Sequence, residues 1–280
     1  MACPRLLPLL ALALPLASCS KPEPPPERTE PWPAPQAHSA PENLVVRCSL
    51  TKPSEVVVTM RAREGKLSGV IRVLTGELEV DLLDLSRTRG KIRIDVGSIR
   101  MGDPGESSEA RQQTTEALNW LDLGSNQPPA KRERDRWAEF VIVEIEDLSA
   151  PAAHEGRRVK RSRRPPPADG GDDVSPTDAT GEVREVTLLA RGRLTFHAYR
   201  VEHAVRLRAR FHYPAEPTPG AKPTRLVIET RSPVKVSLAA HDVKPRDGAG
   251  VFMASGVKLW GVKVAREARV SLRLTAQPRS

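Results

Sequence analysis

Apolar and polar side chains alternate with a period of two from Val45 onward, and this pattern constrains the fold more than any other feature of the chain. In each of the clearest segments, Val, Ile, Leu or Phe residues occupy one side, and Arg, Lys or hydroxyl side chains occupy most of the other. Alternation of this kind predicts β-strands with one buried face and one solvated face. The clearest segments are Glu55–Arg63, Thr88–Val96, His203–Tyr213 and Ala268–Thr275.

Weaker examples of the same pattern raise the expected number to about nine or ten antiparallel strands, since clean alternation is typical of antiparallel sheets. So many strands must close into a barrel or pack as a sandwich, because open sheet edges promote aggregation. In the strand at Phe140–Leu148, we expect Val141, Val143 and Ile145 to face inward. The weaker segments are Lys66–Val73, Glu77–Leu83, Phe140–Leu148, Arg184–His197, Arg225–Arg231 and Val234–Ala239.

Three segments depart from the strand pattern. Ser107–Leu123 has apolar residues at helical spacing, which predicts one short helix that caps an end of the fold. Lys131–Arg136 is a charge cluster, interpreted as a loop. Residues 151–181 combine a basic run, Arg157–Arg164, with a Pro-rich and then an acidic, Gly-rich part. We expect this segment to be a disordered insertion without core residues.

The N-terminus has the features of a secretory signal. A start with the single charge Arg5 precedes the apolar run Leu6–Leu16, which is too short to cross a bilayer. Leu16-Ala17-Ser18-Cys19 resembles the lipobox of bacterial lipoproteins, which implies cleavage before Cys19 and lipidation of its sulfur. Several acyl chains would anchor the protein stably. The alternative is an ordinary signal peptide in which Cys19 only happens to lie near the cleavage site.

The remaining composition limits the partners. The chain has 44 Lys and Arg against 35 Asp and Glu, a balance typical of nucleic-acid binding. An exported protein has no access to nucleic acid, so we expect contacts with anionic lipid headgroups or a solvated Arg-rich surface instead. Of the three Cys, Cys3 is lost with the signal peptide and Cys19 is lipidated. Only Cys48 remains, so we expect no internal disulfide.

The order of several short motifs resembles the YceI-like, polyisoprenoid-binding family. The first half has Gly90-Lys91-Ile92-Arg93-Ile94-Asp95 followed by Ser98-Ile99, and the second half has Gly192-Arg193-Leu194-Thr195-Phe196-His197. The sequence departs from the family pattern at Ala198, where Gly is usual, and by its large insertion. The resemblance covers roughly Val45–Ala276.

The resemblance implies an all-β fold: an extended antiparallel, lipocalin-like β-barrel with one short capping helix and an apolar lumen. The expected domains are a lipoprotein signal peptide (1–18), a Pro-rich tether (19–43) and the YceI-like barrel (44–277), interrupted by the insertion at 151–181. A barrel of about eight strands holds a small or slender ligand or is filled by side chains. The candidate lumen residues are Val58, Met60, Ile92, Ile94, Val143, Leu207, Phe211, Val270 and Leu272.

The sequence has no recognisable catalytic motif, and we expect no enzyme activity, cofactor or metal. His197, His203 and His241 are candidates to meet in space, but His197 is expected to face outward and His203 inward. The leading hypothesis is non-enzymatic binding of an isoprenoid or acyl chain by a barrel tethered in the cell envelope, at the outer membrane facing the periplasm. The alternative is a structural lipoprotein with a filled barrel, which binds a partner through Arg157–Arg164.

Overall fold

The computed structural model of the protein describes residues 44–62, 65–102, 107–159, 181–214, 221–244, 258–259 and 262–279. The predicted signal peptide, Cys19 and the predicted tether lie outside the described residues. The strands are β1 (Val45–Ala62), β2 (Gly65–Ile71), β3 (Leu74–Asp81), β4 (Arg89–Asp95), β5 (Arg100–Met101), β6 (Trp137–Glu146), β7 (Arg157–Arg158), β8 (Val183–Phe196), β9 (Tyr199–His212), β10 (Arg225–Thr230), β11 (Val234–Ser237), β12 (Lys258–Leu259) and β13 (Val262–Pro278).

Eight of these strands close into an antiparallel barrel in the order β1-β3-β4-β6-β8-β9-β10-β13, and β13 returns to β1. The closing ladder between β1 and β13 is long, from Cys48 opposite Pro278 to Ala62 opposite Val264. All ten segments predicted as strands are strands in the structure. The antiparallel strands predicted from the period-two pattern and the all-β barrel implied by the family resemblance are therefore confirmed.

The hydrogen-bonded pairing of β9 on the β10 side covers only part of the strand. This strand pairs with β10 over Leu207–His212, and the Arg231 N–H donates to the Arg206 carbonyl, 2.9 Å away. In the described part of the chain, the stretch from Tyr199 to Val205 has no strand partner on that side. The neighbouring β11 pairs with β13 instead, and the short turn Ala239–His241 packs against β9. The wall between β9 and β11 is thus closed by side chains rather than by a hydrogen-bonded ladder.

Two helices lie between β5 and β6. The predicted capping helix is confirmed as α1 (Ser108–Trp120), which begins where the Ser107 hydroxyl accepts a hydrogen bond from the Ala110 N–H. Its buried residues Ala117 and Trp120 pack into the apolar cluster at one end of the barrel. The loop predicted at Lys131–Arg136 was wrong over most of its length, because α2 (Pro129–Asp135) forms there. Pro at the first turn of a helix has a suitable φ and lacks only an N–H that would have no helical partner.

The first residues of the predicted insertion belong to the folded domain. Ala152 and Ala153 are buried in or beside the core, and β7 pairs with β8. The prediction that residues 151–181 contribute nothing to a core was therefore wrong for 151–159. Small Ala side chains can pack closely against β8, a possibility that a composition argument overlooks. Residues 160–180 lie outside the described part of the chain.

The Ser98-Ile99 motif lies at the end of a short turn, Val96–Ser98, which follows β4 and is fixed by Asp95. The Asp95 carboxylate accepts hydrogen bonds from the Gly97 N–H at 3.1 Å and from Arg136 at 2.6 and 2.9 Å. The Ser98 hydroxyl donates to the Asp95 carbonyl, 2.7 Å away. This network joins the end of β4 to the start of β6, so that the two strands enter the barrel wall together.

Candidate lumen site

The interior of the barrel contains two adjacent apolar cavities with volumes of about 90 Å³ and about 150 Å³. We call them the upper and the lower cavity, respectively. The upper cavity is bounded by residues of β3, β4, β6, β8, β9, β10, β11 and β13, and the lower cavity adds residues of β1 and β2. Four residues line both cavities, so the two spaces meet at one level of the barrel. These shared residues are Ile94, Leu194, Val236 and Val270.

The structure brings most of the predicted lumen residues to these cavities. Val58 lines the lower cavity, while Ile92, Leu207 and Leu272 line the upper cavity; Ile94 and Val270 line both. Their side chains project inward because alternate residues of a strand point to the same face. Whether they contact a ligand remains a prediction.

Two of the predicted residues lie in filled parts of the interior. Phe211 packs in an apolar cluster with Cys48, Val80 and Ala276, and Met60 packs in a second cluster with Trp120. Both residues face inward as expected, but neither lines one of the two cavities described above. The lumen is therefore packed with side chains on both sides of an open middle.

Val143 is placed differently from the prediction. The register between β6 and β8 shifts between Ile142 and Glu144, which leaves Val143 in a β-bulge. A bulge adds one residue to a strand and interrupts the alternation of its faces. As a result, Phe140 and Ile142 line the upper cavity, and the expected inward orientation of Val141 and Val143 was wrong. Ile145, beyond the bulge, is buried as expected.

A glycine on β8 gives Phe140 its place in the lumen. A Cβ atom at Gly192 would lie 2.3 Å from the Phe140 ring, closer than any non-bonded carbon contact. The ring of Phe140 therefore packs directly on the backbone of β8. Gly in a strand interior often marks a close approach of this kind.

The cavity volumes limit what the lumen holds in this conformation. An apolar cavity of about 150 Å³ holds one benzene molecule. On that scale, the two cavities together hold on the order of ten carbon atoms. The site therefore suits a segment of a hydrocarbon chain rather than a whole long-chain lipid.

Two of the three histidines named from the sequence as candidates to meet in space lie at the boundary of the two cavities. His203, on β9, lines the upper cavity, and His241, in the turn after β11, lines the lower cavity. Their ring centroids are 6.4 Å apart and the ring planes differ by 17°. The His203 side chain faces inward as predicted. No orientation was predicted for His241, because it lies in a turn, where strand alternation does not predict orientation.

Three ring nitrogens of this pair are buried without a well-formed hydrogen bond. His241 is only 1% exposed, and neither of its ring nitrogens makes a hydrogen bond of good geometry, although backbone groups of Phe196 and Tyr199 lie nearby. The Nε2 atom of His203 is also buried without a partner. Most buried polar groups in proteins are hydrogen-bonded, so exceptions require an explanation.

The same environment keeps both rings neutral. Burial, reinforced by the neighbouring His203 and His197, lowers the pKa of His241 to about 4. Nearby backbone groups of Phe196 and Tyr199 act in the opposite direction without overcoming this effect. Burial also lowers the pKa of His203. At neutral pH each ring therefore offers one donor and one acceptor.

His197 lies close in sequence but does not join this pair. Its Nε2–H donates to the Leu121 carbonyl at 2.9 Å, which ties the β8–β9 hairpin to the end of α1. Among the described residues, no group of three or more His, Cys, Asp or Glu side chains is placed to hold a metal ion. Cys48 is buried, and burial raises the pKa of its thiol to about 11, so the reactive thiolate is scarce at neutral pH.

Two residues of the basic run proposed for partner binding form ion pairs within the domain. Arg157 pairs with Glu185 at 2.6 Å, and Arg158 pairs with Glu182 at 2.7 Å. Both carboxylates are mostly buried. Lys160 to Arg164 lie outside the described residues. No helix in the described part of the chain is both long enough and apolar enough to cross a membrane.

Comparison with known proteins returns similar solved structures but no sequence family. No family model matches the chain, and no curated protein matches it. One similar structure is BcnA from Burkholderia cenocepacia, at 14% identity and a TM-score of 0.45, covering 80% of this chain and 96% of that one. Another is a polyisoprenoid binding domain from Saccharophagus degradans implicated in plant cell wall breakdown. It is 12% identical with a TM-score of 0.44, covering 84% of this chain and 99% of that one.

Proposed function

We propose that the barrel binds a long apolar lipid, an isoprenoid or acyl chain, in its lumen and performs no chemistry on it. The observation that carries this proposal is the pair of adjoining cavities lined almost entirely by aliphatic and aromatic side chains. Apolar cavities of this size stay dry and accept apolar guests. Each buried methylene of such a guest contributes about 0.8 kcal/mol.

The size of the lumen limits the length of ligand chain that fits inside it. A chain longer than about ten carbons, the number inferred from the benzene comparison, extends beyond the two cavities or displaces side chains around them. In the described part of the chain, no backbone ladder joins β11 to β9, so this seam is closed by side chains. A chain that leaves the lumen there breaks no ladder.

Lipid recovery tests the proposal directly. Protein purified from its own membranes in mild detergent is analysed by native mass spectrometry, followed by solvent extraction. We expect about one lipid per barrel. If no stoichiometric lipid is recovered and the lipid-free protein also fails to bind added octane, then the proposal is wrong.

The protein is also proposed to be attached to the envelope through lipid on Cys19, at the outer membrane facing the periplasm. A Cys19→Ser variant should lose incorporation of labelled palmitate and move from the membrane to the soluble fraction, since the oxygen cannot form the thioether. Cys48→Ser is the matched control and should keep both properties, because Cys48 is buried in the barrel. Labelling of the Cys19→Ser protein would contradict the proposed anchor.

A further inference from the structure

The lumen has no place for the polar end of a lipid. No Lys, Arg, Asp or Glu side chain lines either cavity, and the surface that both cavities expose is apolar. A charged or strongly hydrated group placed there would lose its water without gaining partners, which is costly. The polar end of the proposed ligand therefore lies outside the lumen, next to the point where the chain leaves it.

The seam between β9 and β11 is such a point. In the described part of the chain, β11 pairs with β13 only, and β9 has no strand partner from Tyr199 to Val205 on the same side. Residues that line the upper cavity lie on both sides of the seam: His203 and Val205 on β9, and Val234 and Val236 on β11. A chain that passes between the two strands brings its polar end to the outer face of the wall beside them.

Basic side chains lie along the outer side of this seam. Lys235 is exposed on the outer face of β11, since both of its neighbours in the chain line the upper cavity. Arg269 on β13 is also exposed and lies directly opposite Lys235. At the end of β10, the Arg231 N–H donates to the Arg206 carbonyl, which places these two exposed residues opposite each other. We call Arg206, Arg231, Lys235 and Arg269 the basic rim.

The basic rim brings like charges together without matching carboxylates. Like charges directly opposite each other on neighbouring strands destabilise a sheet. Among the described residues, no acidic side chain forms an ion pair with Arg231, Lys235 or Arg269. The fourth member, Arg206, has one ion pair, with Asp147 at 3.5 Å, and both side chains of that pair are more than half exposed.

Neighbouring carboxylates do not supply the missing charge. Glu229 on β10 is shared by three arginines outside the rim. Glu202 on β9 pairs with Arg193 at 3.3 Å. Glu267 lies on the outer face of β13, but it forms no ion pair with the rim. Even if Glu267 and Asp147 are both counted, the four cations of the rim keep a net positive charge.

An anion beside the rim would remove this repulsion. Guanidinium groups bind phosphate and carboxylate through paired hydrogen bonds, and lysine binds phosphate as a point charge. A phosphate monoester carries about −1.5 to −2 charges at pH 7 and has three acceptor oxygens. It can therefore contact more of the four cations than a carboxylate, which has one charge and two oxygens.

We infer that the basic rim holds the phosphate head group of a lipid whose hydrocarbon chain enters the lumen through the seam. This inference rests on the proposed lipid-binding function and specifies the polar end of its ligand. The rim then distinguishes lipids of equal chain length by the charge of their head groups.

The test uses three probes: octyl phosphate, octan-1-ol and inorganic phosphate. Calorimetric titration of the lipid-free protein at pH 7 and low salt gives the affinities, and the NMR signals of the Val270 and Leu272 methyl groups report whether a chain occupies the lumen. We expect octyl phosphate to bind at least tenfold more tightly than octan-1-ol, with both probes shifting the methyl signals. The difference should shrink at high salt, because exposed charges are screened. Inorganic phosphate should bind much more weakly than octyl phosphate, since it has no chain.

Substitutions in the rim provide the decisive comparison. Arg231→Gln and Lys235→Gln should each weaken octyl phosphate binding about three- to fivefold, as expected for one exposed charge pair, and leave octan-1-ol binding unchanged. Lys91→Gln is the matched control, because Lys91 is an exposed cation on β4, across the barrel from β10. It removes the same charge and should alter neither affinity.

The outcomes separate the two proposals. If octyl phosphate binds no more tightly than octan-1-ol, or if the rim variants and the Lys91→Gln control bind it equally well, then the head-group site is wrong. Inorganic phosphate that binds as tightly as octyl phosphate would also overturn it, because the rim would then be a site for free anions. Lipid binding would still stand in these cases, provided that octan-1-ol shifts the lumen methyl signals. Failure of both octyl probes to bind would overturn the lipid-binding function itself.

Discussion

A Val270→Phe variant is expected to bind an apolar chain about a hundredfold more weakly than the natural protein. Val270 lines both cavities, so a larger side chain at this position fills the level at which they meet. Phe adds about four carbon atoms to Val and should exclude a similar number of ligand methylenes. At about 0.8 kcal/mol for each methylene, the loss is about 3 kcal/mol, or roughly a hundredfold in the dissociation constant. Calorimetric titration with octan-1-ol measures it.

The folded state should tolerate this change, because the ring enters empty space rather than a packed core. Overpacking of a filled core typically costs about 1–3 kcal/mol. The matched control is Val73→Phe, the same substitution at a residue that is 46% exposed between β2 and β3. It should bind octan-1-ol normally. Unchanged binding by a folded Val270→Phe protein would mean that the ligand does not occupy this lumen.

The natural protein should lose stability between pH 6.5 and pH 4 through His241. Burial lowers the pKa of this residue from 6.5 in the unfolded chain to about 4 in the folded protein. Between these values the unfolded chain binds the proton and the folded protein does not, so the free energy of unfolding falls as the pH falls. At about 1.4 kcal/mol per pKa unit, the contribution is about 3 kcal/mol. It is fully present above pH 6.5 and lost once the pH has reached about 4.

His241→Leu removes this contribution. Denaturant unfolding at a series of pH values should show a shallower loss of stability for the variant than for the natural protein in this window. The variant should also be at least as stable at pH 7, because Leu replaces a buried imidazole whose nitrogens make no hydrogen bond of good geometry. His154→Leu, at an exposed position, is the control. Identical pH profiles for the natural and His241→Leu proteins would show that the residue is not buried in a neutral state.

The strands could be predicted because their signal is local. Ile92 and Ile94 on β4, and Val205, Leu207 and Phe211 on β9, alternate with charged residues, and each face is set by the pleat of its own strand. Inward-facing candidates follow from the same rule, which explains why six of the nine predicted lumen residues line the cavities.

The errors arose where contacts with a neighbouring element, rather than local alternation, decide which residues are buried. The bulge on β6 depends on the register with β8. Because of it, Ile142 rather than Val143 lines the lumen. Burial of Ala153 depends on its contact with β8 rather than on local hydrophobicity. The charged residues of α2 gave no apolar stripe, yet the helix is stabilised by contacts such as the Lys131–Asp122 ion pair at 2.7 Å.

The sequence by itself determined that the chain forms antiparallel strands with one apolar face, because a period of two requires only the local pleat of each strand. It could not determine whether those faces fill the interior or leave space. That depends on how side chains from eight strands meet across the barrel, and a cavity belongs to all of them together. The tertiary structure decided the open middle, the seam beside β9, and the meeting of His203 with His241, which lie 38 residues apart in the chain.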